Sequence, residues 1–250
     1  MITSHHNPLL KDIRRLQRRR DGRFVAEGED LLAAADAAGW TSVARLRAGV
    51  DVDADVLAKV SALGSGSREL GVFEERWAPA AIGPLCVCLH GVGDPGNVGA
   101  VLRSAYAFGA GSVVLGPDCA DPFGPKAVRA SMGAIFTVPV VRSGVDDLLG
   151  EKVALVAGEG EPLAAVAAEL AGRAPAAAPP PGAALCDAGD DPPAPAPNVC
   201  LVVGAERAGL PAEVVAACER IAHIPIRGDS LNAAMAATVG LYEFAGRLAA

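Results

Sequence analysis

The sequence predicts an α/β protein in which a parallel sheet covered by helices follows a small α/β domain. From residue 85 onward, short apolar runs alternate with helical segments, which is the pattern of a parallel sheet with helical crossovers. The first of these runs leads into a helix through a loop of glycines, as at ligand-binding edges of α/β sheets. With 250 residues, 51% hydrophobic and 20% charged, the chain can bury a substantial core.

Residues 1–70 are predicted to form the small domain. Asn7 and Pro8 supply the cap and first residue of a helix, and apolar residues then recur at helical spacing. A linker is predicted over 71–84, with one possible strand at 72–77. The other elements predicted in this part are a strand at 23–26, a helix at 29–38 and a strand at 42–47.

Residues 85–250 are predicted to form the second domain. Its residues 171–198 contain eight prolines and ten alanines, which predicts a flexible surface insertion. The predicted elements are strand 85–90, helix 97–108, strand 112–115, helix 125–131, strand 134–141, helix 145–149, strand 153–157, helix 162–170, strand 199–203, helix 211–218, strand 221–226 and helix 230–248.

The net charge of −7 argues against a nucleic-acid partner, but the charge is unevenly distributed. Residues 11–23 hold seven basic side chains against two aspartates. Such a basic segment is typical of an arm that contacts phosphates, although a solvated helix face would show the same pattern. The arginines expected to contact RNA, on the helix face opposite the apolar residues, are Arg14, Arg15, Arg18 and Arg19.

Two classes of protein are not favoured by the composition. No apolar run of about 18 residues is free of charge, so a membrane protein is not expected. The six cysteines include no set with the spacing of metal ligands, so we predict no metal site and free thiols in a reducing cytoplasm.

The loop after the first strand of the second domain carries two candidate polar residues. Asn97 is predicted at the start of the following helix, and Arg103 comes six residues later, about 120° around its axis. Gly91, Gly93 and Gly96 also match a dinucleotide fingerprint, with Asp118 about 20 residues further on. An NAD-dependent oxidoreductase is therefore an alternative, although Pro95 is unusual in such a turn.

Three segments together favour another class. VGDPGNVGAVLRSAYAFG (92–109), VCLVVGAERAGLP (199–211) and IAHIPIRGDSLNAAMAATVGLYE (221–243) resemble the three motifs of the SpoU (TrmH-like) branch of the SPOUT RNA methyltransferases. They occur in the family's order and spacing. The resemblance covers about residues 84–250 and, more loosely, the N-terminal 75 residues. These resemble the ribosomal-protein-like substrate domain that many members carry, including those of the thiostrepton-resistance type.

The resemblance implies an S-adenosylmethionine-dependent enzyme that methylates a ribose 2′-hydroxyl of RNA, with a C-terminal trefoil knot and a homodimeric assembly. It implies that Gly204, Ile224 and Leu231 bind the cofactor. It also implies that Arg103 contacts the 2′-hydroxyl, and that Glu206 orders its loop or pairs with Arg103. Ribosomal RNA is the favoured substrate and tRNA the alternative; a non-catalytic RNA-binding protein is a further alternative. The residues matching the family's catalytic positions are Asn97, Arg103, Glu206, Ser230 and Asn232.

Overall fold

The structure, a computed structural model, describes residues 1–62, 66–171 and 198–248. Its first domain is a three-stranded antiparallel sheet with helices packed on it. Asn7 caps the first helix as predicted, because its Oδ1 accepts a 2.9 Å hydrogen bond from the Leu9 amide. The elements are α1 (Pro8–Arg18), β1 (Arg23–Glu27), α2 (Glu29–Ala37), β2 (Ala44–Arg47), α3 (Ala54–Ala58) and β3 (Glu69–Glu74).

Strand β3 corrects the predicted boundary between the domains. It lies between β1 and β2 and pairs with both, so the start of the predicted linker 71–84 completes the small domain's sheet. Local pattern alone could not show this, because the partner strand β1 lies more than 40 residues away in sequence. The short helix α3 was not predicted either.

The second domain contains a seven-stranded sheet in which every pairing is parallel. The elements are β4 (Leu85–Leu89), α4 (Pro95–Ala107), β5 (Ser112–Leu115), α5 (Pro125–Ala130), β6 (Val140–Arg142), β7 (Glu151–Leu155), β8 (Glu161–Pro162), α6 (Leu163–Ala171), β9 (Val199–Val203), α7 (Ala212–Ala216), β10 (Arg220–His223) and α8 (Ala233–Leu248). The strand order is β6-β5-β4-β9-β7-β10-β8. The predicted α/β class and its parallel sheet are confirmed.

Two predicted elements of this domain are wrong. The predicted strand 134–141 begins as a 3-10 turn, Ala134–Phe136, and the predicted helix 145–149 is a 3-10 turn, Val145–Asp147. The first turn is stabilised by a residue far away in the sequence, since Trp40 Nε1 donates a 2.7 Å hydrogen bond to the Phe136 carbonyl. The predicted insertion 171–198 falls, over 172–197, outside the described residues.

The two domains share an aromatic core, in addition to the small domain's own core beside α1. Phe24, Trp40 and Phe73 of the small domain pack against Phe123 and Phe136 of the large one, with ring centroids between 5.0 and 5.9 Å apart across the two domains. All five side chains are at most 4% exposed. This shared core fixes the position of the basic helix α1 relative to the carboxyl edge of the large sheet.

Candidate active site

The loop between β4 and α4 is held by a helix cap. Asp94 Oδ1 accepts hydrogen bonds from the amides of Gly96 (2.6 Å) and Asn97 (3.2 Å), and Pro95 occupies the first helical position. Lys126 Nζ lies 2.8 Å from the other carboxylate oxygen, and its hydrogen bond lowers the pKa of Asp94. Asp94 was not singled out from the sequence, although Asp followed by Pro is the same start signal as Asn7-Pro8.

Because Asp94 caps α4, the side chain of Asn97 is available for other contacts. Its Nδ2 donates to Glu206 Oε1, and its Oδ1 accepts a 3.1 Å hydrogen bond from Asn232 Nδ2. These residues lie 109 and 135 positions apart from Asn97 in sequence. One asparagine thus joins the loops after β4, β9 and β10. We call Asn97, Glu206 and Asn232 the polar triad.

Asn232 also determines where α8 begins. Its Oδ1 accepts hydrogen bonds from the amides of Ala234 (2.9 Å) and Met235 (3.3 Å), so the helix starts at Ala233 and not at the predicted residue 230. Ser230 is exposed and lies before the helix. The cap fixes the Asn232 amide, which leaves Nδ2 aimed at Asn97.

Gly204 ends β9 in a closed turn. The backbones of Ala205 and Gly209 exchange hydrogen bonds of 3.2 and 3.0 Å, which fold the chain back over Gly204. A Cβ atom at position 204 would lie 2.3 Å from the Gly209 carbonyl carbon, so only glycine fits. The turn places Glu206, two residues later, within reach of Asn97.

Two of the three predicted cofactor residues lie at the carboxyl ends of strands, and the third, Leu231, lies just before α8. Strands β9, β7 and β10 are adjacent, and Gly204 follows the first of them while Ile224 follows the last. Ile224 and Leu231 are half-buried, and Ile226 is 40% exposed. The buried Nδ1 atom of His223 has no hydrogen-bond partner among the described residues. Partly exposed apolar side chains, a backbone that a ligand can approach closely at Gly204, and the unpaired His223 Nδ1 together fit a ligand that contains adenosine.

A cavity of about 640 Å³ opens beside the polar triad. Its size is within the range of sites for small organic ligands, roughly 300–1,000 Å³. Its lining consists of Gly91, Gly93, Asp94, Asn97, Ala205, Glu206, Arg207, Ala208 and Asn232.

Arg103 does not join the triad. It is exposed on α4 and makes no hydrogen bond or ion pair with the residues that the structure describes. The predicted pairing of Glu206 with Arg103 is therefore not observed; Glu206 contacts Asn97 and orders the loop. The neighbouring Ser104 instead joins α4 to α8 through a 2.7 Å hydrogen bond with Thr238.

The predicted RNA-contacting arginines on α1 differ in their surroundings. Arg15 forms ion pairs of 2.6 and 2.7 Å with Asp12 and Asp21. Arg18 and Arg19 are exposed and have no acidic partner within residues 1–62, 66–171 and 198–248. Arg14 lies 3.5 Å from the Lys59 carbonyl oxygen. The charge available to phosphates is thus concentrated at the end of the helix.

A parallel sheet whose carboxyl-edge loops meet at one polar cluster, after a small antiparallel domain, is the architecture of a SPOUT-type RNA methyltransferase. The chain belongs to the SpoU rRNA Methylase family, whose model matches residues 84–242. It is 26% identical to a 23S rRNA (guanosine(2553)-2′-O)-methyltransferase of Bacillus subtilis, over 98% of this chain and 99% of the relative.

Two further proteins are similar to this chain. A 23S rRNA (uridine(2479)-2′-O)-methyltransferase of Streptomyces viridochromogenes is 35% identical over 60% of this chain and 48% of its own length. The crystal structure of an AdoMet-bound rRNA methyltransferase from Sinorhizobium meliloti has a TM-score of 0.78 at 28% identity and covers 99% of this chain and 97% of its own.

Membership of this family excludes the alternative of an NAD-dependent oxidoreductase. The structure of the loop shows why Gly91, Gly93 and Gly96 do not form a dinucleotide site. In a dinucleotide fold the pyrophosphate sits on the free amides at the helix N-terminus. Here the Asp94 carboxylate already accepts from the amides of Gly96 and Asn97. The negative charge that the helix start attracts is supplied by the protein itself.

Within the described ranges the structure shows no helix long and apolar enough to span a bilayer. In the same ranges no three His, Cys, Asp or Glu side chains are grouped as metal ligands.

Proposed function

We propose that this protein methylates a ribose 2′-hydroxyl of ribosomal RNA with S-adenosylmethionine. The observation that carries the proposal is the polar triad, which joins the three family motifs beside an open cavity. Family membership supports the reaction, and the names of the full-length relatives support ribosomal RNA over tRNA. A non-catalytic RNA-binding protein would not need these three side chains held together.

The cofactor is assigned to the loops after β7, β9 and β10. Bound there, S-adenosylmethionine supplies an electrophilic methyl group on a sulfonium. The turn at Gly204 brings the backbone close to it, while Ile224 and Leu231 offer apolar surface to the adenosine. The trefoil knot implied by the family resemblance would gather these loops and stays a prediction.

The polar triad is proposed to hold the ribose in line for transfer. Rigid placement of the reacting groups accounts for much of the rate enhancement in such reactions. Both ends of the Asn97 amide are hydrogen-bonded, one to Glu206 and the other to Asn232. A shift of either partner would therefore move the Asn97 side chain at the cavity. Ser230 is exposed and lies two residues before Asn232, and we propose that it contacts the RNA or the cofactor.

Arg103 is proposed to contact the 2′-hydroxyl and to stabilise the negative charge that develops on it. A guanidinium does not lose its proton readily, so electrostatic stabilisation is the more economical role. Its exposed position within a single chain suggests that another molecule completes its surroundings.

A second copy of this chain is our proposal for that molecule. Arg103 shares a face of α4 with Tyr106, which is 51% exposed. On the adjacent α8, Met235 and Tyr242 are 62% and 63% exposed and fall at helical spacing with Val239. Exposed apolar residues grouped in this way mark association surfaces. A two-fold dimer through α4 and α8 would bury them and fix Arg103.

The small domain is proposed to carry the RNA to this edge. Arg14, Arg15, Arg18 and Arg19 would contact phosphates, with Arg18 and Arg19 contributing most because they have no acidic partner in the described part of the chain. We expect the protein to work in the cytoplasm with the rRNA that it modifies, and its buried free thiols suit a reducing compartment.

The proposal is tested by methyl transfer from labelled S-adenosylmethionine to rRNA and tRNA purified from cells that lack the gene. We expect incorporation into rRNA at one ribose, mapped by its resistance to alkaline cleavage. Incorporation into tRNA alone would select the alternative substrate. If neither RNA is labelled while the cofactor binds, the proposed function is wrong.

A further inference from the structure

A second cavity, of about 530 Å³, lies along the same carboxyl edge of the sheet. It is formed by the loops after β5 and β6 together with Trp77 from the connection between the domains. None of its residues belongs to the polar triad or to the cofactor loops. Its principal side chains are Trp77, Asp118, Asp121 and Arg142.

This second cavity lies between the candidate active site and the basic helix. On one side, the Gly91 amide donates to the Pro117 carbonyl (3.0 Å) and the Ala120 amide donates to the Val92 carbonyl (2.9 Å). The wall of the cavity is therefore bonded directly to the active-site loop. On the other side, Arg20, which follows α1, forms an ion pair with Asp121. An RNA strand held by α1 would reach the polar triad across this cavity.

Arg142 lies over the Trp77 ring at the cavity, with its guanidinium carbon 4.2 Å from the ring centroid. The indole is itself fixed, because its edge packs against Phe123 at 5.2 Å and its Nε1 donates to Glu75 (3.3 Å). Arg142 is exposed and has no acidic partner in the described ranges. An exposed guanidinium held over an indole can take an unstacked base on its solvent side.

The cavity also offers one hydrogen-bond acceptor without a partner. Asp121 is engaged, since it pairs with Arg20 and its Oδ1 accepts a 2.8 Å hydrogen bond from the Phe123 amide. Asp118 is exposed and makes no such contact with the described residues. It is held in the left-handed region at φ 57, where non-glycine residues are uncommon. Among the described residues, the charged side chains of this cavity without an ion pair are Arg142 and Asp118.

We propose that this cavity binds an unstacked RNA base, guanine in preference to the others, next to the nucleotide whose ribose is methylated. The base stacks on the open plane of Arg142, and the Asp118 carboxylate accepts from its pairing edge. Guanine presents two adjacent N–H donors on that edge, whereas the other bases present donors singly or beside an acceptor. The proposal deepens the proposed function and rests on it.

The first test separates stacking from simple charge attraction. Binding of the full-length protein to single-stranded RNA about 12 nucleotides long is measured by fluorescence anisotropy. R142A is expected to weaken binding about tenfold, and R142K equally, because lysine keeps the charge but loses the plane. The matched control is R76A, since Arg76 lies over Trp40 at the same 4.2 Å. Near-normal binding by R142K, or an equal loss in R76A, would overturn the proposal.

The second test concerns base preference and is independent of catalysis. Uridine oligomers with a single central G, A or C are compared, and the G oligomer is expected to bind several-fold tighter to the wild type. D118N replaces one acceptor oxygen by a donor and should abolish that difference. An unchanged guanine preference in D118N, or none in the wild type, would contradict the assignment. Absence of methyl transfer with the preference intact would instead count against the proposed function alone.

Discussion

At the residue scale, Asn97 is the side chain on which the site depends, because it is donor to Glu206 and acceptor from Asn232 at once. Asn97→Ala removes both bonds and leaves two polar groups unpaired. We expect methyl transfer to fall by about a hundredfold, as for other preorganised polar groups in active sites. Cofactor affinity, measured by calorimetry, should fall much less than the rate, since Asn97 itself lies outside the loops after β7, β9 and β10.

Asn232→Ala is the informative comparison. It removes the same bond to Asn97 but also the cap of α8, which costs about 1 kcal/mol of stability. Asn97→Ala should therefore lower activity with little effect on thermal unfolding, whereas Asn232→Ala should lower both. Equal unfolding temperatures for the two variants would argue against the role of Asn232 as the cap.

Arg103 tests the mechanism. Lysine keeps the positive charge but loses the planar fork of donors. If Arg103 contacts the 2′-hydroxyl in a fixed geometry, Arg103→Lys and Arg103→Ala should be similarly poor, with losses of about a hundredfold or more in single-turnover transfer at saturating RNA. Substantial activity in the lysine form would limit the role to charge. A normal rate in the alanine form would remove Arg103 from the mechanism.

The sequence could indicate which residues matter but not which of them meet. Asn97, Glu206 and Asn232 were found by resemblance to motifs, while their hydrogen bonds span more than 100 residues. The contact of Glu206 with Asn97 instead of Arg103 depends on the turn at Gly204, whose closure only the structure shows. A capping residue followed by proline correctly predicted the helix start at Asn7. The same pattern at Asp94 marks the start of α4 but was not part of the prediction.

At the element scale, α1 divides its arginines into paired and unpaired ones. Replacing Arg18 and Arg19 together by alanine should weaken RNA binding and reduce the slope of log affinity against log salt by about 0.7 for each lost phosphate contact. Arg15→Ala should have a smaller effect, because Asp12 and Asp21 already neutralise that guanidinium. The measurement is a salt titration by anisotropy. Equal slopes for the wild type and all variants would show that these arginines form an ordinary solvated helix face and do not contact RNA.

Elements were predictable where their own sequence determines them. Strands β4, β5 and β9 are apolar runs buried on both faces, and their predicted positions match within one residue. Strand β3 was predicted only as a possible linker strand at 72–77, and the turn at Ala134–Phe136 was predicted as a strand. Distant partners, β1 and Trp40, hold both in place. Helix-against-strand errors occurred only in short segments whose conformation is set by such contacts.

At the scale of the whole molecule, the shared aromatic core packs the two domains firmly against each other. Phe24 of the small domain is fully buried against Phe123 and Phe136 of the large one, with centroids 5.0 and 5.9 Å away. Two domains without shared buried contacts would unfold separately. The structure predicts instead a single cooperative unfolding transition over both domains.

Phe24→Ala tests this coupling. Truncating a fully buried phenylalanine costs about 3–5 kcal/mol, which in a chain of this size lowers the unfolding temperature by about 10 °C. Because the ring belongs to both domains, the transition should move as a whole in calorimetry and by circular dichroism. Leu16→Ala, confined to the small domain's own core, is the control for a local loss. It should also shift a single transition if the domains are coupled. Two separated transitions in either variant would show that the basic helix and the active site are only loosely connected, and that RNA held by α1 is not positioned over the polar triad by the fold.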